Sequence, residues 1–462
     1  MADRRSSGEA RRLFCSTGPV RLLFSSGPDL DASPERNKSR RWLTLAGVAS
    51  RSQQVLKWKA IRMSLSGGLT YLAIPGPSVM PERVLRAMHR PSPNIYYGEL
   101  PDMVPNLVTR LKAVARTEQH VAIYIANGHG AWEAAVSNVF SPGDLVLVPA
   151  TGRFAHGWAE IARGMGVETE IMDFGKRDTI DLEQVKARLK ADDGRIKAVM
   201  AVQTDTSTGV RNDIAALRKA IDEAGHDALF MVDCMASLGC DRFEMDAWGV
   251  DVMITGSQKG LMTPAGLGFV YFSDKADRAR ETAKCVTHYW DWRPRVNPPM
   301  FYRYFDGTAP THHLYGLDEA LTMIEEEGLE NVWARHAALA RAIWAAFDHW
   351  GTGGPLEVNI RDHALRSHSV TALRAGSPKG TALRQWCETQ TGLTLGIGLG
   401  MAEGDTPEWD HFFRLGHMGH VNAQMILGAL ATIEAGLKAV DLPHASGGVE
   451  RAAQVIADES KK

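Results

Sequence analysis

The segment Val250-Asp-Val-Met-Ile-Thr-Gly-Ser-Gln-Lys-Gly-Leu261 decides how the rest of the chain is read. Val252-Met-Ile254 is an apolar run bounded by Thr-Gly-Ser, the pattern of a buried strand that ends where the chain turns. Lys259 follows at once, flanked by Gly256 and Gly260, and glycines let a backbone come close to a ligand. A lysine nucleophile needs a neutral amine, and a dry pocket at a strand end favours that form by penalising the ammonium. Taken alone, Lys259 reads more simply as a solvated loop lysine, the usual state of this residue.

Outward from this segment, short apolar runs recur at Val121–Ala126, Leu145–Pro149, Ile196–Val202, Ala228–Met235 and Leu267–Phe272. Stretches of helical periodicity lie between them, such as Asp181–Lys190 and Asp213–Ala224. Strands apolar on both faces, alternating with helices, predict an α/β fold with a mostly parallel sheet covered on both sides. Ligands of such sheets bind beyond the carboxyl ends of the strands, where Lys259 falls. A helical region follows from Leu317 to about Trp350, broken at Gly328. A strand (Ser369–Arg374), a helix (Gly380–Thr391), apolar segments at Leu393–Leu399 and Phe412–Leu415, and a helix from Asn422 to about Val440 then predict a smaller α+β domain. The expected division is an unstructured extension over 1–62, an N-terminal arm over 63–86, a large ligand-binding domain over 87–320 and a small C-terminal domain over 321–462.

Of the 462 residues, 44% are hydrophobic and 23% charged, a globular composition with length for more than one core. No stretch reaches the roughly 18 uninterrupted apolar residues of a membrane helix, so no membrane partner is expected. The five cysteines, Cys15, Cys234, Cys240, Cys285 and Cys387, are odd in number and lack metal-type spacing. They predict reduced thiols in a cytoplasmic protein, without a metal site. Residues 1–62 carry 13 lysines and arginines against 5 acids, whereas the remainder carries 39 against 49. Transit peptides are Arg-rich but poor in acids, and this leader holds Asp3, Glu9, Asp29, Asp31 and Glu35. It has no aromatic interleaving or helix-turn-helix pattern, so no nucleic-acid partner is expected. An extension upstream of a start at Met63 is the simplest reading.

Asp233 closes the run Ala228-Leu-Phe-Met-Val-Asp233, and a carboxylate ending a buried strand needs a charged or hydrogen-bonded partner. A protonated ring nitrogen would serve; so would the cap of a following helix. Asn127-Gly-His-Gly130 sits between a strand and a helical pattern, where freed backbone amides can bind phosphate. Many such turns bind nothing, and neither the Walker lysine motif nor the dinucleotide glycine pattern is present. Arg414, in Phe412-Phe-Arg-Leu-Gly416, interrupts an apolar strand. It suits either a carboxylate ligand, gripped by two parallel hydrogen bonds, or a structural ion pair. Phe154 suits a platform for an aromatic ring, or the core.

Together these segments resemble the class V aminotransferases, specifically the serine/alanine/aspartate–glyoxylate group. The resemblance runs from about Leu72 to Val440. Its segments are Ile74-Pro-Gly-Pro-Ser78, Asn127-Gly-His-Gly-Ala-Trp-Glu133, Thr204-Asp-Thr-Ser-Thr-Gly-Val210, Val232-Asp-Cys-Met-Ala-Ser-Leu-Gly239, Thr255-Gly-Ser-Gln-Lys-Gly260, Leu314-Tyr-Gly-Leu317 and Phe413-Arg-Leu-Gly-His-Met-Gly419. The resemblance implies a pyridoxal 5′-phosphate (PLP) enzyme of fold type I. Lys259 would be its Schiff-base lysine and proton shuttle, and Asp233 the partner of the pyridine nitrogen. Thr206 would hold the phenolic oxygen, Phe154 would stack on one ring face and Met235 would pack the other. Asn127, Gly128, His129 and Gln258 would bind the phosphate, joined by Thr308 from a second subunit of a homodimer. Arg414 would clamp the substrate carboxylate, and Pro75 and Gly76 would line the substrate side. Two departures stand out. Phe305, before Asp306-Gly307, replaces a tyrosine common in relatives, and Met235 is bulkier than the usual valine.

The implied reaction moves an amino group from serine, alanine or aspartate to a 2-oxo acid, with glyoxylate expected, in a ping-pong cycle. One rival on the same fold is a cysteine desulfurase or β-lyase, which needs a nucleophilic cysteine on a mobile loop. Such enzymes commonly carry histidine before the lysine, where Gln258 stands. Another is a non-catalytic PLP-binding protein, or a regulator acting through the basic leader. An aspartate donor needs a second polar partner, for which Arg90, Arg153 and His156 are candidates.

Overall fold

The computed structural model describes residues 65–461. The expected extension over 1–62, Met63 and Cys15 lie outside the described residues. In chain order the strands are β1 (Tyr71–Ala73), β2 (His120–Ala126), β3 (Leu145–Ala150), β4 (Glu168–Asp173), β5 (Ile196–Val202), β6 (Thr204–Asp205) and β7 (Val210–Arg211). They continue with β8 (Leu229–Asp233), β9 (Val252–Gly256), β10 (Gly266–Phe272), β11 (Glu357–Val358), β12 (Val370–Arg374), β13 (Leu393–Ile397) and β14 (Phe412–Gly416).

Seven strands form one sheet in the order β2-β10-β9-β8-β5-β3-β4. Neighbours from β9 to β4 are parallel, and β10 runs antiparallel to both β9 and β2. Alternate side chains enter opposite layers, as the two-residue strand period requires. Val146 and Val148 pack with Trp158 on one face; Leu145 and Leu147 pack with Val185 and Leu217 on the other. The helix Arg153–Gly164 therefore covers one face, and the helices Leu182–Lys190 and Ile214–Glu223 the opposite one. The chain leaves β3 toward β4, then returns to β5 on the other side of β3. Connections that diverge in this way open a crevice at the carboxyl ends of the two strands.

A second sheet has the order β1-β13-β14-β12-β11. Its edge strand β1 comes from the segment read as an arm and pairs parallel to β13. Three residues are too few to show a period, so the pairing was not visible in the sequence. Phe413 and Leu415 of β14 enter the core beneath the helices Leu329–Gly351 and Ala423–Ala439, which turns Arg414 to the opposite face. The long helical region divides at Gly328, whose φ of +84° ends the helix Thr311–Glu327. No helix among the described residues is long and apolar enough to cross a membrane.

Candidate active site

Three carboxyl ends of the large sheet converge on the crevice. At the end of β8, Asp233 is almost fully buried. Its Oδ2 accepts from Trp132 Nε1 at 2.8 Å and its Oδ1 from the Met235 amide at 2.6 Å. The Met235 contact caps a turn, since no helix follows β8 before β9, so the helix-cap alternative for Asp233 does not hold. Burial pushes its carboxyl up to about 7, against the pull of these two donors. Among the described residues no cation lies within ion-pairing distance of it, and the more distant Lys259 charge opposes the rise only weakly. Trp132 lies in the Asn127–Glu133 segment, where spacing along the chain points to no role for it. It stacks on Trp158 and meets His129 and Phe154 edge-on, at ring centroid distances of 4.8 and 6.2 Å.

The crevice between β3 and β5 holds a second buried acid that sequence reasoning passed over, Asp205. Its carboxylate accepts from the Phe154 amide at 2.8 Å and from the Ser207 amide at 2.9 Å. A Cβ on Gly152 would come within 2.5 Å of Asp205 Cγ, so only glycine leaves room there. Asp205 thereby ties the start of the Phe154 helix to the turn bearing Thr206. Burial raises its pKa as well. Its place in Thr204-Asp-Thr206 was legible, but its Phe154 partner lies 51 residues away in the chain.

Lys259 follows β9, half-buried, and its Nζ donates to the Pro75 carbonyl. Gly76, at φ +100°, passes so close that a Cβ would meet Lys259 Nζ at 2.0 Å. Burial lowers the Lys259 amine to about 8; the nearby Arg414 charge adds to this and Asp233 opposes it. Arg414 reaches across from β14 and is also buried. Its Nε donates to the Ile397 carbonyl at 2.6 Å and its Nη1 to the Thr206 carbonyl at 2.8 Å. Burial lowers its pKa to about 10. No carboxylate among the described residues forms an ion pair with it, so the alternative of a structural ion pair does not hold. Pro75 fits against β13 because Gly396 has no side chain: a Cβ there would be 2.6 Å from Pro75 Cδ.

The remaining predicted residues divide. Met235 lies across Gly128 and Gly256; a Cβ on either would meet its side chain at 2.5 or 2.9 Å. The two glycines accommodate its extra length. Gln258 has a buried side-chain oxygen with no partner. Asn127 caps the helix Gly128–Val139, its Oδ1 accepting from the amides of His129 and Gly130 at 3.1 and 3.2 Å. Two of the amides expected to face phosphate are therefore occupied by Asn127. Thr206 is buried beside Arg414, whereas Thr308 is exposed and makes no hydrogen bond within the described residues. Phe305 is core, packed on Phe301 and Tyr304. Arg90 pairs with Glu99 and stacks on Tyr315. Arg153 and His156 instead line a cavity of about 570 Å³ with Lys176 and Glu403, and His156 pairs with Asp173 at 3.3 Å. Cys387 is fully buried in the helix Lys379–Thr391, not on a loop.

This chain belongs to the class V aminotransferases, whose family model matches residues 70–399. It is 38% identical over 382 residues to the serine–glyoxylate aminotransferase of Methylorubrum extorquens, a match covering 80% of this chain and 91% of the relative. It is 36% identical over 385 residues to the L-aspartate–glyoxylate aminotransferase of Paracoccus denitrificans, covering 82% and 94%. Among solved structures it is similar to pyridoxamine–pyruvate aminotransferase from Mesorhizobium loti. That match has TM-score 0.76 and 25% identity, covering 86% of this chain and 100% of the other. The expected α/β fold and the family resemblance both hold, and the protein is an aminotransferase.

Proposed function

We propose that the chain transfers the amino group of a small amino acid to a 2-oxo acid, with glyoxylate as acceptor and PLP as cofactor. Relatives whose names specify serine or L-aspartate with glyoxylate support this reading. The observation that carries it is a pair of buried charges, Asp233 and Arg414, without ion-pair partners among the described residues and both acting on Lys259. Asp233 lacks a cation and would hold the protonated ring nitrogen of the cofactor. Phosphate, an acceptor, would take the side-chain NH2 of Gln258; the orphaned Oε1 of that residue accepts only and does not serve it. The residues present fit the cofactor. Phosphate would fall to the His129 ring and the Gln258 amide, since Asn127 occupies two amides of its turn.

When bound, PLP supplies a carbonyl carbon for the amine and a ring that absorbs negative charge. The rest is work for the protein. Lys259, its amine eased toward neutrality by burial, holds the cofactor and moves the donor's α-proton. Asp233, fixed by the Trp132 and Met235 donors, keeps a proton on the ring nitrogen. Arg414 binds the substrate carboxylate with the N–H groups not spent on the Ile397 and Thr206 carbonyls. Pro75 and Gly76 close over the lysine and help to exclude water. A second copy of the chain would bring the exposed Thr308 to the phosphate, completing a homodimer. The exposed Tyr96, Tyr97, Met300 and Tyr302 suit such a contact. The four described cysteines are free thiols, in keeping with a cytoplasmic setting.

The decisive experiment replaces Lys259 with alanine. Turnover and the borohydride-reducible visible absorbance should both disappear; an absorbance that survives and can still be trapped would refute the assignment. The desulfurase alternative requires an accessible cysteine, which the buried Cys387 does not provide.

A further inference from the structure

Behind Lys259 lies a set of contacts that the proposed chemistry does not use. The Lys259 carbonyl accepts from Ser78 Oγ at 2.8 Å, and the Gln258 carbonyl accepts from the Ser78 amide at 2.9 Å. Against the same carbonyl rests the turn that follows β14. A Cβ on Gly419, at φ +77°, would lie 3.1 Å from Lys259 O and 3.2 Å from Ser78 Oγ. The turn after Arg414's strand thus abuts the backbone of the lysine.

Two consecutive side chains of the helix Leu329–Gly351 grip this turn from behind. Arg335 Nη1 donates to the carbonyls of Gly419 and Val421 at 3.2 and 2.8 Å, while its other nitrogens pair with Glu327. His336, fully buried, accepts from the Gly419 amide at Nε2, 3.0 Å away, and its Nδ1 lies 2.7 Å from the Val332 carbonyl. An amide can only donate and a carbonyl only accept, so the partners fix the proton on Nδ1 and leave the Nε2 lone pair for Gly419. Burial, aided by the Arg335 charge, lowers the histidine to about 4 and keeps that neutral form.

We propose that His336 is a positioning residue for amino-group transfer: its hold on Gly419 seats the 417–421 turn against Lys259 and sets the spacing between that lysine and Arg414. This rests on the assignment of Lys259 and Arg414 under Proposed function. A one-ångström misplacement of reacting groups can cost on the order of 100-fold in rate.

The test compares His336→Leu and His336→Gln in the full PLP-loaded chain. Glutamine places an acceptor oxygen near the Nε2 position; leucine places none. Three quantities are read: kcat/KM for the amino donor, the pH at which the visible band of the bound cofactor shifts, and the melting temperature. The leucine variant should lose roughly 10- to 100-fold in kcat/KM with a displaced spectral titration, and glutamine should recover most of both. A folded leucine variant with parental kinetics and titration overturns the proposal. So does a glutamine variant as impaired as leucine, or a pair that lowers only the melting temperature. If the leucine variant does not fold, Gly419→Ala, which pushes the turn off the Lys259 carbonyl, is read by the same titration. An unshifted band there is equally fatal. Failure of the underlying reading looks different: the parent chain itself would show no cofactor band or no transfer.

Discussion

Asp233 and Arg414 are both buried charges without an ion-pair partner among the described residues, yet they are held in opposite ways. Asp233 sits on the central strand β8, and both its donors, Trp132 and Met235, belong to the large sheet's own layers. Arg414 sits on β14 of the other sheet and spends two donors on carbonyls, one of which belongs to Thr206 across the crevice. One charge is set by its own sheet and the helix packed on it, and the other only when the two sheets meet. Each carries a burial cost that an external counter-charge would relieve, a cation for the acid and an anion for the arginine. A site built on that contrast matches a ring that carries a proton and a substrate that carries a carboxylate.

The contrast breaks most sharply at Asp233. Asp233→Asn should leave the donor KM nearly unchanged and lower kcat by roughly 100- to 1,000-fold, because the charge is needed when negative charge develops on the ring. A steady-state comparison decides it, and a raised KM with intact kcat would assign Asp233 to substrate binding instead. Arg414→Gln should act on the other term, raising KM and lowering kcat/KM by about 10- to 100-fold. Arg414→Lys should restore only part of this, since an ammonium lacks the planar fork. Trp132→Phe removes one of the two donors to Asp233 and keeps the ring. Its kcat should fall about 3- to 10-fold, and parental kinetics would show that the Met235 amide suffices.

A separate effect is on stability without cofactor. Asp233 has a folded pKa of about 7, above its ordinary value of 3.8. Its contribution is therefore fully present below about pH 4 and lost as pH rises through 7, by on the order of a few kcal/mol. Lys259 is shifted the other way, from 10.5 to about 8. Its contribution is present above pH 10.5 and lost as pH falls through 8. Melting curves of the ligand-free chain should show the acid-side slope flattened in Asp233→Asn and the alkaline-side slope flattened in Lys259→Met. Unchanged slopes would mean that other groups dominate the titration.

Much of the large sheet was legible because its strands are apolar throughout and its helices periodic. The runs at Val121, Leu145, Ile196, Ala228, Val250 and Leu267 all became neighbours in one sheet. The strand Glu168–Asp173 was missed: it lies at the sheet edge and is largely polar, with no run to detect. In the candidate site, Lys259 and Asp233 could be singled out because each follows or ends a buried strand. Asp205, Trp132 and His336 could not, because what they do depends on partners far away in the chain. Thr308 shows the limit in the other direction: the role proposed for it needs a second chain, and among the described residues it is exposed and makes no hydrogen bond.

Local order alone set which segments are strands, that they alternate with helices, and which lysine and aspartate stand at strand ends, since periodicity and burial are properties of neighbouring residues. Folding decided the rest: that Pro75 meets Lys259, that Arg414 meets Thr206, and that His336 meets Gly419. These contacts shift pKa values and orient groups through desolvation and through directional hydrogen bonds. Both depend on distances in space that no spacing along the chain encodes.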